Sequence, residues 1–434
     1  MSPTAQILVS FLLFLGLLAF GFEVPFAIAV PGLVYLYLQG GIAILSGIGM
    51  ATWGSMNSFT LTAVPLFIFL AEIMQQSGVS RRIYSGLAKL VSALPGGLLQ
   101  TNIVGCALFA AMTGSSVATA ASIGGVALPQ LVERGYEPRM AAGSLAAGGT
   151  LGILFPPSVA MIIYSAFTDL SVAKLFVAGL VPGLLLAGMF MIFIGVRTRF
   201  SRGLAPLEHG PSSFADLLVG VADVLPFAAL ITGTMGSIYL GIATPVEAAA
   251  VGSVAAIAIS AIWGNLSWRS LMSTIDRSVR ISGNILFIIY AAYIYAYAIG
   301  LAGIGETVTT WLVGLHLGQL GFLFALFCLY TVLGCFIESI GMIVITVPVI
   351  FPALAGYGID PIWFGVILVM FVELGQISPP IGINLFVIQS VWNGRLADVV
   401  LGTIPFHIIM FVLLALVILF PGIALWLPAH SGHL

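Results

Sequence analysis

Two segments, GILFPPSV at 152–159 and GQISPPIG at 375–382, set a glycine and a run of backbone carbonyls ahead of paired prolines. Pro156, Pro157, Pro379 and Pro380 carry no N–H, so in a helix the carbonyls four residues earlier lose their partners. Within hydrocarbon nothing outside the chain replaces those partners, and such a break persists only where it is buried in protein or lines a wet cavity. Hydroxyls gather upstream of the first break, in GSSVATAASIG at 114–124. Oxygen-only ligands suit a small hard cation such as Na+, and helix N-termini at the same breaks favour an anion. The first candidate cation site therefore combines Ser115, Ser116, Thr119, Gly152, Phe155 and Ser158. The second combines Glu338, Ser339, Gly341, Gly375 and Ser378. Candidate substrate-lining residues are Ser116, Pro156, Pro157, Pro379, Pro380 and Asn384. The plainer reading is that the prolines kink packed helices, but a repeated Pro-Pro with flanking glycine weighs against it.

Acids within a span default to function. Glu338 and Glu373, the latter two residues before Gly375, are each candidates for ion ligation, or for orienting amides and clamping helices. Glu72 reads as an interface group, Glu23 and Glu247 as caps or interface groups, and His407 as a packed, hydrogen-bonded histidine.

The elements that position these residues must be membrane helices. The chain is 60% hydrophobic and 6% charged over 434 residues, against about 25% charged in a soluble domain. Apolar runs of about 20 residues recur along it, without the alternation of barrel strands. The fold class is all-α and polytopic. A net charge of −2 excludes a nucleic-acid partner and leaves membrane lipid as the surroundings. Cys106, Cys328 and Cys335 sit in apolar stretches and read as packing residues. Residues 6–22 read as a retained first helix. No Gly-Lys pair exists, hence no P-loop and no ATP; uphill transport would draw on an ion gradient.

The sequence also repeats. At an offset of 223, Pro129, Pro138, Pro156, Pro157 and Pro182 fall on Pro352, Pro361, Pro379, Pro380 and Pro405 without a gap. A weaker match at 220 pairs Gly21 and Pro25 with Gly241 and Pro245. The halves are 1–200 and 222–434, joined by a linker at 201–221. Each contains a helix–turn–helix of re-entrant length (98–134 and 319–356) and a broken helix (139–168 and 361–391). Threading the spans places twelve of the 13 basic residues on one side, from Arg81 and Arg82 through Arg199 and Arg202 to Arg395, with Lys174 opposite. That side is cytoplasmic by the positive-inside rule, and the hairpins then enter from opposite faces, as in the inverted repeats of secondary transporters. Segments 78–96 and 264–281 read as amphipathic helices at the cytoplasmic surface.

GSSVATAASIG, GILFPPSVAMIIY (152–164), GIATPVEAAAVG (241–252) and GQISPPIGINLF (375–386) together resemble the large membrane subunit of the TRAP (tripartite ATP-independent periplasmic) transporters, and the resemblance spans essentially the whole chain. It implies an elevator, in which the hairpins and broken helices form a transport domain that slides against a scaffold of the remaining helices. It further implies Na+-driven import of a small organic acid across the bacterial inner membrane, a separate small four-helix membrane subunit, and a periplasmic substrate-binding protein. The family's sodium sites would match Ser115, Ser116, Gly152, Ser339 and Gly375. Glu338 and Ser378 depart from a commoner Asp and Thr, both with oxygen chemistry kept. The alternatives are a stand-alone Na+-coupled anion transporter and, remotely, an intramembrane enzyme, for which the lysines and histidines are too scattered.

Overall fold

The computed structural model describes residues 3–201, 203–206, 213–314 and 316–431; Arg202 and most of the linker fall outside them. Every element among the described residues is helical. The first half comprises α1 (Pro3–Ala19), α2 (Val24–Met56), α3 (Phe59–Gln76), α4 (Val79–Val91), α5 (Leu98–Thr113), α6 (Ser116–Glu133), α7 (Pro138–Leu154), α8 (Val159–Thr168) and α9 (Val172–Phe200). The second comprises α10 (Phe214–Tyr239), α11 (Pro245–Trp263), α12 (Trp268–Leu301), α13 (Ile304–Gly314), α14 (Gln319–Gly334), α15 (Ser339–Leu354), α16 (Pro361–Ile377), α17 (Ile383–Trp392), α18 (Leu396–Leu419) and α19 (Gly422–His430). Nine segments among the described residues are long and apolar enough to cross a membrane, counting α7 with α8 as one and α15 as far as Tyr357.

The starts of the elements keep the spacing of the prolines. Ser116 and Pro138 open α6 and α7, and Ser339 and Pro361 open α15 and α16, each 223 positions later. Chemistry explains the agreement: Pro138 and Pro361 occupy first-turn positions, where the missing N–H costs nothing, with the side chains of Glu137 and Asp360 capping them. Both paired prolines contain a cis peptide bond.

Several boundaries differ from the sequence expectation. α10 begins at Phe214, inside the segment read as linker, because Ser213 and Asp216 form a reciprocal capping box. α12 runs unbroken through its basic stretch into the apolar part, where a surface helix and a separate span were expected. Arg277 reaches Glu72 of α3 at 3.8 Å and Arg280 pairs with Asp276 one turn away at 2.8 Å, so the charges decorate a continuous helix. α2 likewise runs to Met56, bent where Gly40 and Gly41 leave helical geometry.

Two sets of helix contacts stand out, with α3 and α12 also touching α5, α8 and α15 across them. α2 lies along α12, and α3 packs on α11 and α12. In the other group α5, α6, α16, α17 and α18 all pack on α7, and α14 packs on α16. Small residues permit the tightest crossing. Gly143 of α7 lies on the backbone of Gly402 in α18, and a methyl added at Gly402 would overlap the Arg139 carbonyl. Gly402→Ala should therefore cost about 1–3 kcal/mol through overpacking, read as a lowered Tm in detergent. Arg139 and Asp398 pair at 2.9 Å beside this crossing. On the first group's flank, α4 buries Val79, Ile83, Tyr84 and Leu87, as its amphipathic pattern requires. Its Arg82 and Lys89 both reach Asp223 of α10, at 2.6 and 3.7 Å.

Candidate functional site

The first hairpin turns at Gly114 and Ser115, with Gly114 in the left-handed region at φ 57°. A tight hydroxyl chain holds the tip. Thr113 Oγ1 lies 2.6 Å from Thr119 Oγ1, whose own proton goes to the Ser115 carbonyl at 2.8 Å. The Ser115 side chain caps α6 by accepting from the Ala118 N–H at 3.4 Å. The tip is fixed to the first break, where the Val159 N–H donates to the Gly114 carbonyl at 3.3 Å. Gly152 presses on the Ser115 carbonyl, and a methyl there would also stand 2.8 Å from Thr119 Oγ1. Ser158 caps α8 through the Met161 N–H at 3.3 Å. The structure thus gathers Ser115, Thr119, Gly152 and Ser158 around one junction. Ser116 points elsewhere: its hydroxyl accepts from Asn384 Nδ2 on α17, which joins the two halves.

The second hairpin is arranged differently. Glu338 occupies the N-cap position of α15 without a side-chain cap bond. Gly375 packs a turn below the tip, against the Tyr330 carbonyl and Gly334 Cα of α14. Ser378 is held inward: its hydroxyl donates to the Leu374 carbonyl at 2.7 Å and lies 3.1 Å from His407 Nε2 on α18. Gly341 faces Val24 and Ile337. Glu338 and Ser339 instead line a cavity of about 280 Å³ together with the first tip.

That cavity organises the site. Three helix N-termini reach it: α6 through Ser115, α8 through Val159 and Ala160, and α15 through Ser339 and Ile340. Each brings the positive end of a helix dipole and first-turn N–H groups, of which those of Ala118, Val159 and Met161 are already taken by Ser115, Gly114 and Ser158. Facing them are Glu72 and Gln75 of α3 and Asn284 of α12. Sequence reasoning missed Gln75 and Asn284; the one signal was an amide in each apolar run, at MQQS and SGNIL.

The paired prolines take different settings. Phe155 and Pro156 line an apolar cavity of about 560 Å³ between α5, α9 and α10, with Pro157 buried beside them. Pro379 and Pro380 are exposed. Of the remaining acids, Glu247 forms a capping box with Thr244, while Glu23 makes no cap bond. The three cysteines are free, Cys106 and Cys335 buried and Cys328 exposed.

Residues 11–423 match the family described as the tripartite ATP-independent periplasmic transporter, DctM component. The C4-dicarboxylate TRAP transporter large permease protein DctM of Pseudomonas aeruginosa is 33% identical, over 92% of this chain and 94% of its own length. The sialic acid TRAP transporter large permease protein SiaM of Vibrio cholerae is 29% identical, over 95% and 96%. Among solved structures, the YdaH transporter of Alcanivorax borkumensis superposes with a TM-score of 0.63 at 13% identity, over 89% of each chain, a likeness of fold.

Proposed function

The chain belongs to the tripartite ATP-independent periplasmic transporter family as its DctM component, and from that premise we propose that it imports a small organic acid driven by Na+ through an elevator mechanism. It is a large permease of the bacterial inner membrane and not an enzyme; its family works with a small membrane subunit and a periplasmic binding protein.

The observation that carries the substrate reading is the convergence of three helix N-termini on one cavity. A carboxylate there meets N–H donors and favourable dipoles without needing a basic side chain. For the cation, the first site is the junction of Ser115, Thr119, Gly152 and Ser158, while Ser116 and Phe155, expected there from the sequence, turn to Asn384 and to the apolar cavity. The residues four beyond Gly152 and Ile153 are Pro156 and Pro157, so those two carbonyls have no helical donor. The second site draws on Glu338, Ser339, Gly341, Gly375 and Ser378; of the carbonyls four residues before Pro379 and Pro380, that of Gly375 accepts the Ser378 N–H at 3.3 Å and that of Gln376 has no helical donor.

The elevator reading rests on the two packing groups. The hairpins and broken helices form the moving part. α2, α3, α11 and α12 form the frame, and the cavity lies between the tips and α3 with α12. α5 and α14, at 16 residues each, are short of the roughly 20 that span a bilayer, which supports hairpins that turn back within it.

The test is uptake in proteoliposomes containing this chain, its small subunit and its binding protein, under an imposed Na+ gradient. Ser115→Ala and Ser339→Ala should each lower the apparent Na+ affinity about tenfold, by the cost of one altered coordination partner. Wild-type Na+ dependence in both would remove the tip sites. Transport by this chain alone would favour a stand-alone carrier.

A further inference from the structure

The interior of α16 holds polar atoms that the tip sites do not use. Glu373 and Gln376 are both 0% exposed. Neither carboxylate oxygen of Glu373 has a hydrogen-bond partner, and neither does the amide oxygen or nitrogen of Gln376. Asn384, in the first turn of α17, is also fully buried, and its Oδ1 is unpartnered while its Nδ2 serves Ser116. The fold around the break brings the end of α16 back toward the start of α17. The carbonyls of Gln376 and Ser378 both come within 3.0 Å of where a Cβ on Gly382 would stand, two residues before Asn384.

Glu373 and Gln376 stand one turn apart on the same side of the helix. That side is not the one given to α14. Phe371 and Gly375 meet Tyr330, and Ser378 meets His407. At 3.6 residues per turn Glu373 is rotated about 160° from Gly375 and Gln376 about 100°. These groups therefore turn off the α14 face of α16, a helix that also packs against α7, α9 and α17. Among the described residues no basic side chain pairs with Glu373. Arg139 of α7 is committed to Asp398 and His407 to Ser378.

The repeat supplies the control. At the 223 offset, Glu373, Gln376 and Asn384 correspond to Thr150, Ile153 and Met161. The first copy builds the same broken helix with one hydroxyl, and that hydroxyl is satisfied by the Ala147 carbonyl at 2.6 Å. The fold thus does not require the three polar side chains. An unpaired ionised carboxylate in a dry interior costs several kcal/mol, and four acceptor oxygens stand against a single donor, Gln376 Nε2. A proton would serve one oxygen. A cation with several oxygen ligands serves them together.

We propose that Glu373, Gln376 and Asn384 Oδ1 form a further monovalent-cation site, buried at the α16–α17 break and distinct from the tip sites in its ligands. Its occupant is Na+, held by side-chain oxygens and charge-matched by Glu373. The site stands whether or not the tips bind Na+, and its test uses binding, so it does not depend on transport.

The measurement is the number of radiolabelled Na+ ions bound per purified full-length chain at saturation. Glu373→Gln should bind one fewer than wild type; an unchanged number overturns the site. Gln376→Ile and Asn384→Met install the first copy's residues and should each weaken Na+ binding about tenfold; unchanged affinity in both overturns the ligand set. Infrared difference spectra with and without Na+ read the carboxylate directly. A shift of a carboxylate band on adding Na+ that is kept in Glu338→Gln and lost in Glu373→Gln supports the site. A protonated-carboxyl band that persists at saturating Na+ and is absent from Glu373→Gln assigns the charge to a proton and overturns the proposal.

Discussion

Gly152→Ala is expected to abolish coupled uptake while Gly125→Ala leaves it near wild type. Gly125 lies on α6 with nothing within 4 Å of its missing side chain. Gly152 faces the Ser115 carbonyl and Thr119 Oγ1 at the hairpin tip. The obstructing atoms are mostly backbone, so the clash is relieved only by moving α7 away from the tip. Overpacking of this kind costs about 1–3 kcal/mol. The functional loss should be larger, because the tip also holds the Gly114–Val159 bond that sets the α8 N-terminus, and displacing reacting or binding groups by an ångström costs about a hundredfold. Gly375→Ala should behave alike, since its methyl would stand 2.7 Å from the Tyr330 carbonyl and 3.2 Å from Gly334 Cα. Uptake rates and Tm measured on the three variants decide the matter. Wild-type uptake by Gly152→Ala would mean that contact between tip and break is not part of the working site.

Much of this arrangement is legible in the sequence because proline and glycine act locally. Pro156, Pro157, Pro379 and Pro380 remove donors wherever they stand, so both breaks follow from composition alone. The 223 offset survives in the helix starts because Pro138 and Pro361 both stand in a first turn, where the missing N–H costs nothing. Ser115, read from the sequence as a cation ligand, also proves to cap α6.

What escaped the sequence depends on contacts across long separations. Asn384 and Ser116 are 268 residues apart, and nothing in either local pattern indicates their bond. The same holds for Glu72 with Arg277, which turns an apparent interface acid into a wall of the cavity and makes α12 one helix where two were expected. The second tip departs from the first for a related reason. Ser115 corresponds to Glu338 and Ala111 to Gly334 at the 223 offset. The extra glycine lets α14 approach Gly375 a turn earlier than the tip, so Glu338 and Ser339 are turned toward the shared cavity. A periodic reading treats the copies as equal and cannot show where one residue's size redirects the packing.

Replacing Pro156 and Pro157 together by alanine should uncouple stability from function, in opposite directions. A proline inside a helix costs about 3 kcal/mol relative to alanine. The double variant restores two N–H groups opposite the carbonyls of Gly152 and Ile153, so α7 and α8 gain the bonds of a continuous rod. Thermal stability should hold or rise. The same continuity occupies the oxygens assigned to the first cation site. It swings Val159 off the Gly114 carbonyl, a bond of 3.3 Å, and withdraws one of the three N-termini from the cavity. Na+-dependent uptake should then fall by about a hundredfold, and Na+ should no longer raise Tm through the first site. Pro156→Ala alone returns one donor of the two and should lie between. Pro379 and Pro380 are exposed, so their replacement disturbs less packing and tests the Gln376 carbonyl, since that of Gly375 already accepts the Ser378 N–H at 3.3 Å. A double alanine variant at 156 and 157 that is both more stable and fully active would show that the free main-chain oxygens have no part in binding. The breaks would then serve only to bend the helices.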